Sequence, residues 1–174
     1  MSQIGYRIKQ FWHNVTASKL TAVAQADVAA QLSAAELALF QHFSQSDQWH
    51  SYRVMKTLLA SGQLHPDLLT AALLHDIGKT CVSLSVWERT WIVLGTLVGP
   101  ERTAVWGQGE PVGWRRAFVV KAQHPAWGAE LAAAAGSRPL VVALIRRHQD
   151  EKQETAVTEA DQLLCWLQWA DDQN

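Results

Sequence analysis

Four histidines and two aspartates in this sequence have the residue types and the spacing of a metal site. They are His50, His75, Asp76, His124, His148 and Asp171. Neutral imidazoles and carboxylates together suit borderline metals such as iron, manganese or zinc. Asp76 is the natural bridge between two ions, because a carboxylate has two oxygens and this one is adjacent to His75. Two ions about 3.5–4 Å apart can activate a water and neutralise the charge that develops on a phosphate.

Most of these side chains fall on the apolar face of a predicted helix. His50 shares its face with Val54 and Leu58, and Asp171 continues the face of Leu164. An imidazole or carboxylate on an inward face costs free energy unless it is paired or coordinated. Any one of them could be a satisfied core histidine or an aspartate paired with an arginine. Five sites on separate helices, four of them inward, are better explained together by a shared cluster of cations.

The spacing of these sites predicts that they lie on successive helices. Consecutive sites are 25, 48, 24 and 23 residues apart, and each interval except the longest spans one helix and one turn. Apolar periodicity and Gly or Pro boundaries predict helices over about 23–32, 33–40, 47–60, 66–77, 83–98, 125–135, 139–147 and 159–171, after an apolar stripe at Ile4, Ile8, Phe11, Trp12 and Val15. No alternating strand pattern competes, so we expect an all-α helical bundle.

Two expectations concern the middle of the chain. Residues 99–114 are rich in glycine and proline, and we expect an irregular segment there. It could be a lid over the site, since glycine-containing loops often gate active sites, or an ordinary solvent loop. Pro125 is expected to start a helix, so that His124 projects from the N-terminus of that helix.

The segment Leu73-Leu-His-Asp-Ile-Gly-Lys79 closely resembles the signature of the HD-domain superfamily of metal-dependent phosphohydrolases. The order His…His-Asp…His…His…Asp resembles the six-ligand, dinuclear version found in HD-GYP-type domains. His124-Pro-x-x-Gly-Ala-Glu130 and Trp169-Ala-Asp171 look like later motifs of the same family. The resemblance covers residues 44–172. We expect one domain over 1–174, in which helices within 1–43 cover this metal-binding core or form a homodimer interface.

The resemblance also implies a division of the ligands between two divalent ions. One ion would be held by His50, His75, Asp76 and Asp171, and Asp76 would bridge to a second ion held by His124 and His148. Periodicity favours Asp171 as the last ligand, although Asp161 and Asp172 are rivals. No Gly-Tyr-Pro motif follows His148, which removes the reason to propose a cyclic dinucleotide substrate.

Two cations near the motifs are candidates for binding the substrate. Lys79 corresponds to a lysine that contacts a substrate phosphate in related members, although a lysine at a helix C-terminus is also favourable to the helix dipole. Arg147 directly precedes the predicted ligand His148.

The predicted activity is hydrolysis of a phosphate ester in a small phosphorylated substrate, with a nucleotide as the first candidate. Asp76 and Lys79 are the predicted catalytic residues, and the cofactors are two divalent ions, with iron, manganese or another transition metal as candidates. Two alternatives stay open. Some members of the superfamily that this chain resembles are mixed-valent di-iron oxygenases, and a sensor would bind metal or nucleotide without turnover.

Composition narrows the class of protein. Lysine and arginine number 15 against 16 acidic residues, a net charge of -1, whereas dedicated nucleic-acid binders usually carry a strongly basic face. The two cysteines, Cys81 and Cys165, form no metal-binding or disulfide pattern. No stretch has the length of a membrane span or the character of a secretion signal. We therefore expect a cytoplasmic protein with no membrane partner.

Overall fold

The computed structural model describes residues 18–85, 87–88, 99–152 and 156–174. In these ranges it contains helices and no strand, so the predicted all-α fold class is confirmed. The α-helices are α1 (Ala22–Gln31), α2 (Ala34–Phe40), α3 (Gln45–Ala60), α4 (Pro66–Leu74), α5 (Pro100–Trp106), α6 (Arg116–Ala134), α7 (Pro139–Arg147) and α8 (Glu159–Asp172). The apolar stripe of residues 4–15 and most of the predicted helix 83–98 lie outside the described ranges.

Local sequence signals explain where several helices begin. The Ser33 side chain accepts a hydrogen bond from the Glu36 N–H while Glu36 reaches back to the Ser33 N–H, which forms a capping box at α2. Thr158 and Asp161 form a second capping box at α8. Pro66 begins α4 at a position where the missing N–H would have no helical partner.

Helix α4 is the centre of the bundle. Every residue from Asp67 to Leu74 is buried, and α4 contacts α1, α2, α3, α7 and α8. Leu20, Val28 and Phe40, from the N-terminal part of the described chain, belong to the same apolar core as α4. Burial of the hydrophobic faces of these helices against α4 brings the C-terminal end of α4 next to several other helices.

The middle of the chain differs from the prediction. Residues 99–114 are not simply irregular, because they contain α5 and lead into a 3-10 helix at Gly113–Arg115. Helix α6 does not start at Pro125 but at Arg116, and Pro125 lies in its interior. Phe118, Val119 and Val120 are buried, so packing extends the helix across the proline signal. Among the described residues, no helix has both the length and the apolar character needed to cross a membrane.

Candidate metal centre

Six structural elements bring the six predicted ligands together. His50 lies in α3 and His124 in α6, while Asp171 lies in the last turn of α8. His75 directly follows α4, and Asp76 precedes a 3-10 helix at Ile77–Cys81. His148 directly follows α7. These elements therefore bring the six residues into one cluster, as the spacing of the sites predicts.

One group of three residues in this cluster could hold a metal ion. His50, His75 and Asp171 each offer a ligand atom, and these atoms lie within 4.8 Å of one another. The Asp171 Oδ1 atom is 2.9 Å from His50 Nε2 and 3.5 Å from His75 Nε2. The side chains of His50 and Asp171 are 22% and 25% exposed, so this group is open to solvent on one side.

A second group of three is buried. Asp76, His124 and His148 could hold another ion, with their ligand atoms also within 4.8 Å of one another. Asp76 Oδ1 is 3.2 Å from His124 Nε2 and 3.6 Å from His148 Nε2. The other oxygen of the same carboxylate, Oδ2, faces the first group, 3.4 Å from His75 Nε2 and 3.8 Å from His50 Nε2. Asp76 thus has one oxygen directed to each group.

Backbone carbonyls fix the orientation of three of the histidine rings. In each ring Nδ1 lies at hydrogen-bonding distance from a carbonyl oxygen: His75 with Ala72 at 3.0 Å, His124 with Lys121 at 2.9 Å, and His148 with Ile145 at 2.7 Å. A carbonyl only accepts, so Nδ1 must carry the proton. In the neutral ring this leaves the Nε2 lone pair directed at the cluster, as in histidines that bind metals.

The remaining polar atoms of the cluster fit divalent cations. His75 Nε2 is fully buried and has no hydrogen-bond partner in the described part of the chain. His124 Nε2 and His148 Nε2 lie 3.1 Å apart, although both rings use Nδ1 as the donor. Two neutral imidazoles in this arrangement bring lone pairs together. A cation between lone pairs and carboxylates would satisfy all of these atoms.

The pKa shifts of the clustered residues show that the two carboxylates of the cluster carry negative charge. Burial lowers the pKa of the His75 imidazole, but the Asp76 and Asp171 carboxylates raise it to about 10. Burial raises the pKa of Asp76, but Lys79 and His75 hold it well below its usual range. Asp171 follows the same pattern, since His75 and His50 lower its pKa against the effect of burial. Both carboxylates are therefore ionised at neutral pH.

Lys79 lies at the edge of the cluster. It belongs to the 3-10 helix that follows Asp76, and its Nζ is 2.6 Å from Asp76 Oδ2. Burial lowers the pKa of Lys79, but the Asp76 carboxylate raises it, so the ammonium is charged. The side chain remains 39% exposed, which leaves it accessible from solvent. Its predicted contact with a substrate phosphate stays a prediction.

The other candidate cation and the rival aspartates have partners elsewhere. The Arg147 guanidinium donates to Asp161 at 2.9 Å and lies 3.5 Å from Asp150. Asp161 also caps α8, and Asp172 is paired with Lys152 on the surface. The structure thus places Asp171, rather than either rival, with the histidines. The assignment of Arg147 to substrate binding stays a prediction, and these contacts direct it away from the cluster.

The predicted position of His124 is wrong in one respect. His124 does not project from a helix N-terminus but lies inside α6, with Pro125 following it in the same helix. The His124 Nδ1 atom lies 3.0 Å from the Val120 carbonyl and 2.9 Å from the Lys121 carbonyl. The ring therefore lies back along its own helix, with only 2% of the residue exposed.

Two residues outside the predicted set, Gln168 and Gly78, also hold the site. Gln168 is buried and donates to the His148 carbonyl at 3.3 Å and the Asp150 carbonyl at 2.9 Å, so it holds the backbone on both sides of Gln149. Gly78 lies against α6 so closely that a Cβ there would be 2.0 Å from the His124 carbonyl oxygen and 2.6 Å from the Gly128 nitrogen. The glycines of the two motifs were the available signal for this contact.

Among the comparisons with known proteins, a family model matches the part of the chain that contains this cluster. The family model described as HD domain matches residues 49–172. This match begins just before His50 and ends just after Asp171, so it contains all six clustered residues. Comparison with curated proteins gave no match, and comparison with solved structures gave none. Because the family model covers more than half of the sequence, the chain belongs to the HD-domain family.

Proposed function

We propose that this chain is a metal-dependent phosphohydrolase that cleaves a phosphate ester, with a nucleotide as the first candidate substrate. The observation that carries the proposal is the position of Asp76, whose two oxygens face two groups of residues that could each hold an ion. Membership of the HD-domain family, which generally contains metal-dependent phosphohydrolases, supports the same reaction class.

In this proposal the two groups hold two divalent ions. His50, His75 and Asp171 would hold the first, His124 and His148 the second, and Asp76 would contact both. Bound divalent ions would supply Lewis acidity, which lowers the pKa of a water and neutralises charge on a phosphate. The histidine Nδ1 hydrogen bonds would keep each Nε2 in the ligand orientation during turnover.

The pattern of exposure indicates the side from which substrate approaches. The second group is closed by packing, whereas His50 and Asp171 are partly exposed and Lys79 reaches the same cluster from solvent. A phosphate that approaches on this side would meet the Lys79 ammonium. That cation could bind a phosphate oxygen and stabilise the negative charge that develops during hydrolysis. Lys79 is therefore the proposed substrate-binding cation.

Metal content and turnover measured on the same tag-free protein test the proposal. We expect about two divalent ions per chain and metal-dependent release of phosphate from members of a panel of nucleotides and simple phosphomonoesters and diesters. Lys79→Ala should keep both ions but lose about 100-fold in turnover, since it removes a charge rather than a proposed ligand. Arg102→Ala, an exposed cation on α5, is the matched control and should behave like the unsubstituted protein.

Two results would contradict the proposal. Protein that binds both ions and hydrolyses no member of the panel would favour a sensor that binds without turnover. Iron-dependent consumption of oxygen with a small substrate, in place of phosphate release, would favour the di-iron oxygenase.

A further inference from the structure

Pro125 occupies a position in α6 where proline is normally unfavourable. The helix runs from Arg116 to Ala134, so Pro125 is in its interior and not in its first turn. An ordinary residue at 125 would donate its N–H to the Lys121 carbonyl four residues earlier. Proline has no N–H, so the helix leaves this carbonyl without its usual donor. A carbonyl group in a packed helix needs another partner.

The imidazole of His124 supplies that partner. His124 Nδ1 is 2.9 Å from the Lys121 carbonyl oxygen and 3.0 Å from the Val120 carbonyl oxygen. The ring is buried, so water does not replace these contacts at low cost. The residue that lacks the donor and the residue that provides it are thus adjacent in the sequence.

The backbone at His124 is held separately from its ring. Gly78 lies against the His124 carbonyl so closely that no side chain could be accommodated there. Gly128, one turn later in α6, also contacts Gly78, since a Cβ at 128 would lie 3.1 Å from the Gly78 nitrogen. The glycine contact fixes where α6 meets the segment after Asp76. The ring orientation still depends on the acceptor for Nδ1.

We propose that Pro125 is a positioning residue for the second group of the metal centre. By withholding a backbone N–H, it reserves the Lys121 carbonyl for the His124 imidazole, which keeps Nδ1 protonated and turns Nε2 towards Asp76. The observed result is a His124 Nε2 that lies 3.2 Å from Asp76 Oδ1. The step from ring orientation to ion affinity rests on the proposed function, whereas the orientation itself does not.

The proposal predicts opposite changes in stability and in ion binding. Pro125→Ala restores the N–H, which competes with His124 for the Lys121 carbonyl, and it removes a poor helix former from a helix interior. The metal-free variant should therefore unfold at a higher temperature than the unsubstituted protein. Its affinity for the Mn²⁺ held by the second group should fall about 10-fold, the lower end of the effect of removing a partner of a metal ligand.

The experiment compares the unsubstituted protein with three variants by equilibrium binding of Mn²⁺ and by thermal unfolding. Pro139→Ala is the matched control, because Pro139 is exposed in the first turn of α7, where an added N–H has no helical acceptor to take. Replacement of Pro125 by lactic acid is the rescue, since the resulting ester has the methyl group of alanine and no N–H. We expect the control and the ester to bind Mn²⁺ as tightly as the unsubstituted protein.

A second readout does not need bound metal. Long-range 1H–15N spectra of metal-free protein, at a pH where His124 is neutral, should show the proton on Nδ1 in the unsubstituted protein and a mixture of tautomers in Pro125→Ala. An unchanged tautomer together with unchanged Mn²⁺ affinity would overturn the role of Pro125. Absence of a second Mn²⁺ from the unsubstituted protein would instead contradict the proposed function, and the spectra would still decide the role of Pro125.

Discussion

Glu36 and Asp76 are both buried carboxylates of this helical bundle, but their surroundings differ in kind. Glu36 Oε2 accepts a hydrogen bond from the Ser33 N–H at 2.9 Å, and Glu36 Oε1 accepts one from the Ser137 hydroxyl at 2.7 Å. These neighbours are neutral donors that need an acceptor. They tie the start of α2 to the turn between α6 and α7. The arrangement is complete within the protein and explains Glu36 as a structural residue.

Asp76 has neighbours that are mostly acceptors in their neutral form. Four imidazole Nε2 atoms lie between 3.2 and 3.8 Å from its oxygens, and in three of these rings Nδ1 is the donor. Lys79 adds a positive charge 2.6 Å from Asp76 Oδ2. The contrast teaches that burial of an acid does not identify a functional site. A buried acid among lone pairs that the protein does not satisfy is the stronger indication.

The largest expected effect comes from removing the charge of Asp76. Asp76→Asn keeps the size of the side chain but weakens the contact to both groups, so we expect loss of bound metal and a fall in turnover of about 10³-fold or more. Elemental analysis and phosphate release measure the two effects. Asp172→Asn is the matched control, because Asp172 is an exposed aspartate of α8 that pairs with Lys152. Full metal content in Asp76→Asn would show that Asp76, like Glu36, is not needed for metal binding.

The next effect separates the two groups of the centre by their access to solvent. A chelator should remove one ion per chain quickly, from the partly exposed His50 side, and the other about 10-fold or more slowly, after local opening of the buried side. His50→Ala should lose the fast phase, and His148→Ala the slow phase. Loss of both ions in a single phase would show that the centre opens as one unit.

A third prediction tests whether the packing of Gly78 against α6 positions Asp76, as hydrogen bonds position Glu36. Gly78→Ala places a Cβ 2.0 Å from the His124 carbonyl oxygen, so α6 must move away. Overpacking of this kind should cost about 3 kcal/mol of unfolding free energy, measured in urea. Gly128→Ala meets its nearest atom at 3.1 Å and should cost less. Equal losses in the two variants would show that the close contact at Gly78 is not special.

The sequence was sufficient for the fold class and for the convergence of the cluster, because both depend on periodicity and spacing. Three of the four intervals between the sites, 25, 24 and 23 residues, span one helix and one turn, and apolar burial around a central helix brings such positions together. Asp171 could be separated from Asp172 for the same reason, since only one of them continues the apolar face of α8.

The features that the sequence did not reveal depend on contacts between distant residues. Pro125 indicates a helix start by itself, and only the packing of α6 and the imidazole of His124 make it acceptable in a helix interior. Arg147 stands beside His148 in the chain, yet its side chain pairs with Asp161 of another helix. Neither outcome follows from residue types within one segment, because each requires knowing which helices are neighbours.

The smallest expected effect is the loss of stability in Glu36→Gln, and its size depends on pH. Burial raises the pKa of Glu36, but hydrogen bonds from Ser137 and Ser33 outweigh burial and lower it. A lowered folded pKa contributes stability above the unfolded pKa of about 4.3, which is lost as the pH falls through the folded value. Glu36→Gln should therefore cost about 1 kcal/mol at neutral pH, and this cost should shrink as the pH falls through the folded pKa of Glu36, measured by urea unfolding.

The metal content of Glu36→Gln tests whether Glu36 and Asp76 act separately. Glu36→Gln should keep both ions, because Glu36 completes hydrogen bonds at a turn and contributes no atom to the centre. Glu110→Gln, at an exposed position between α5 and α6, is the matched control and should change neither stability nor its pH dependence. A loss of metal in Glu36→Gln would mean that the Ser137 turn transmits strain to α6 and α7. The two buried acids would then belong to one network rather than to two.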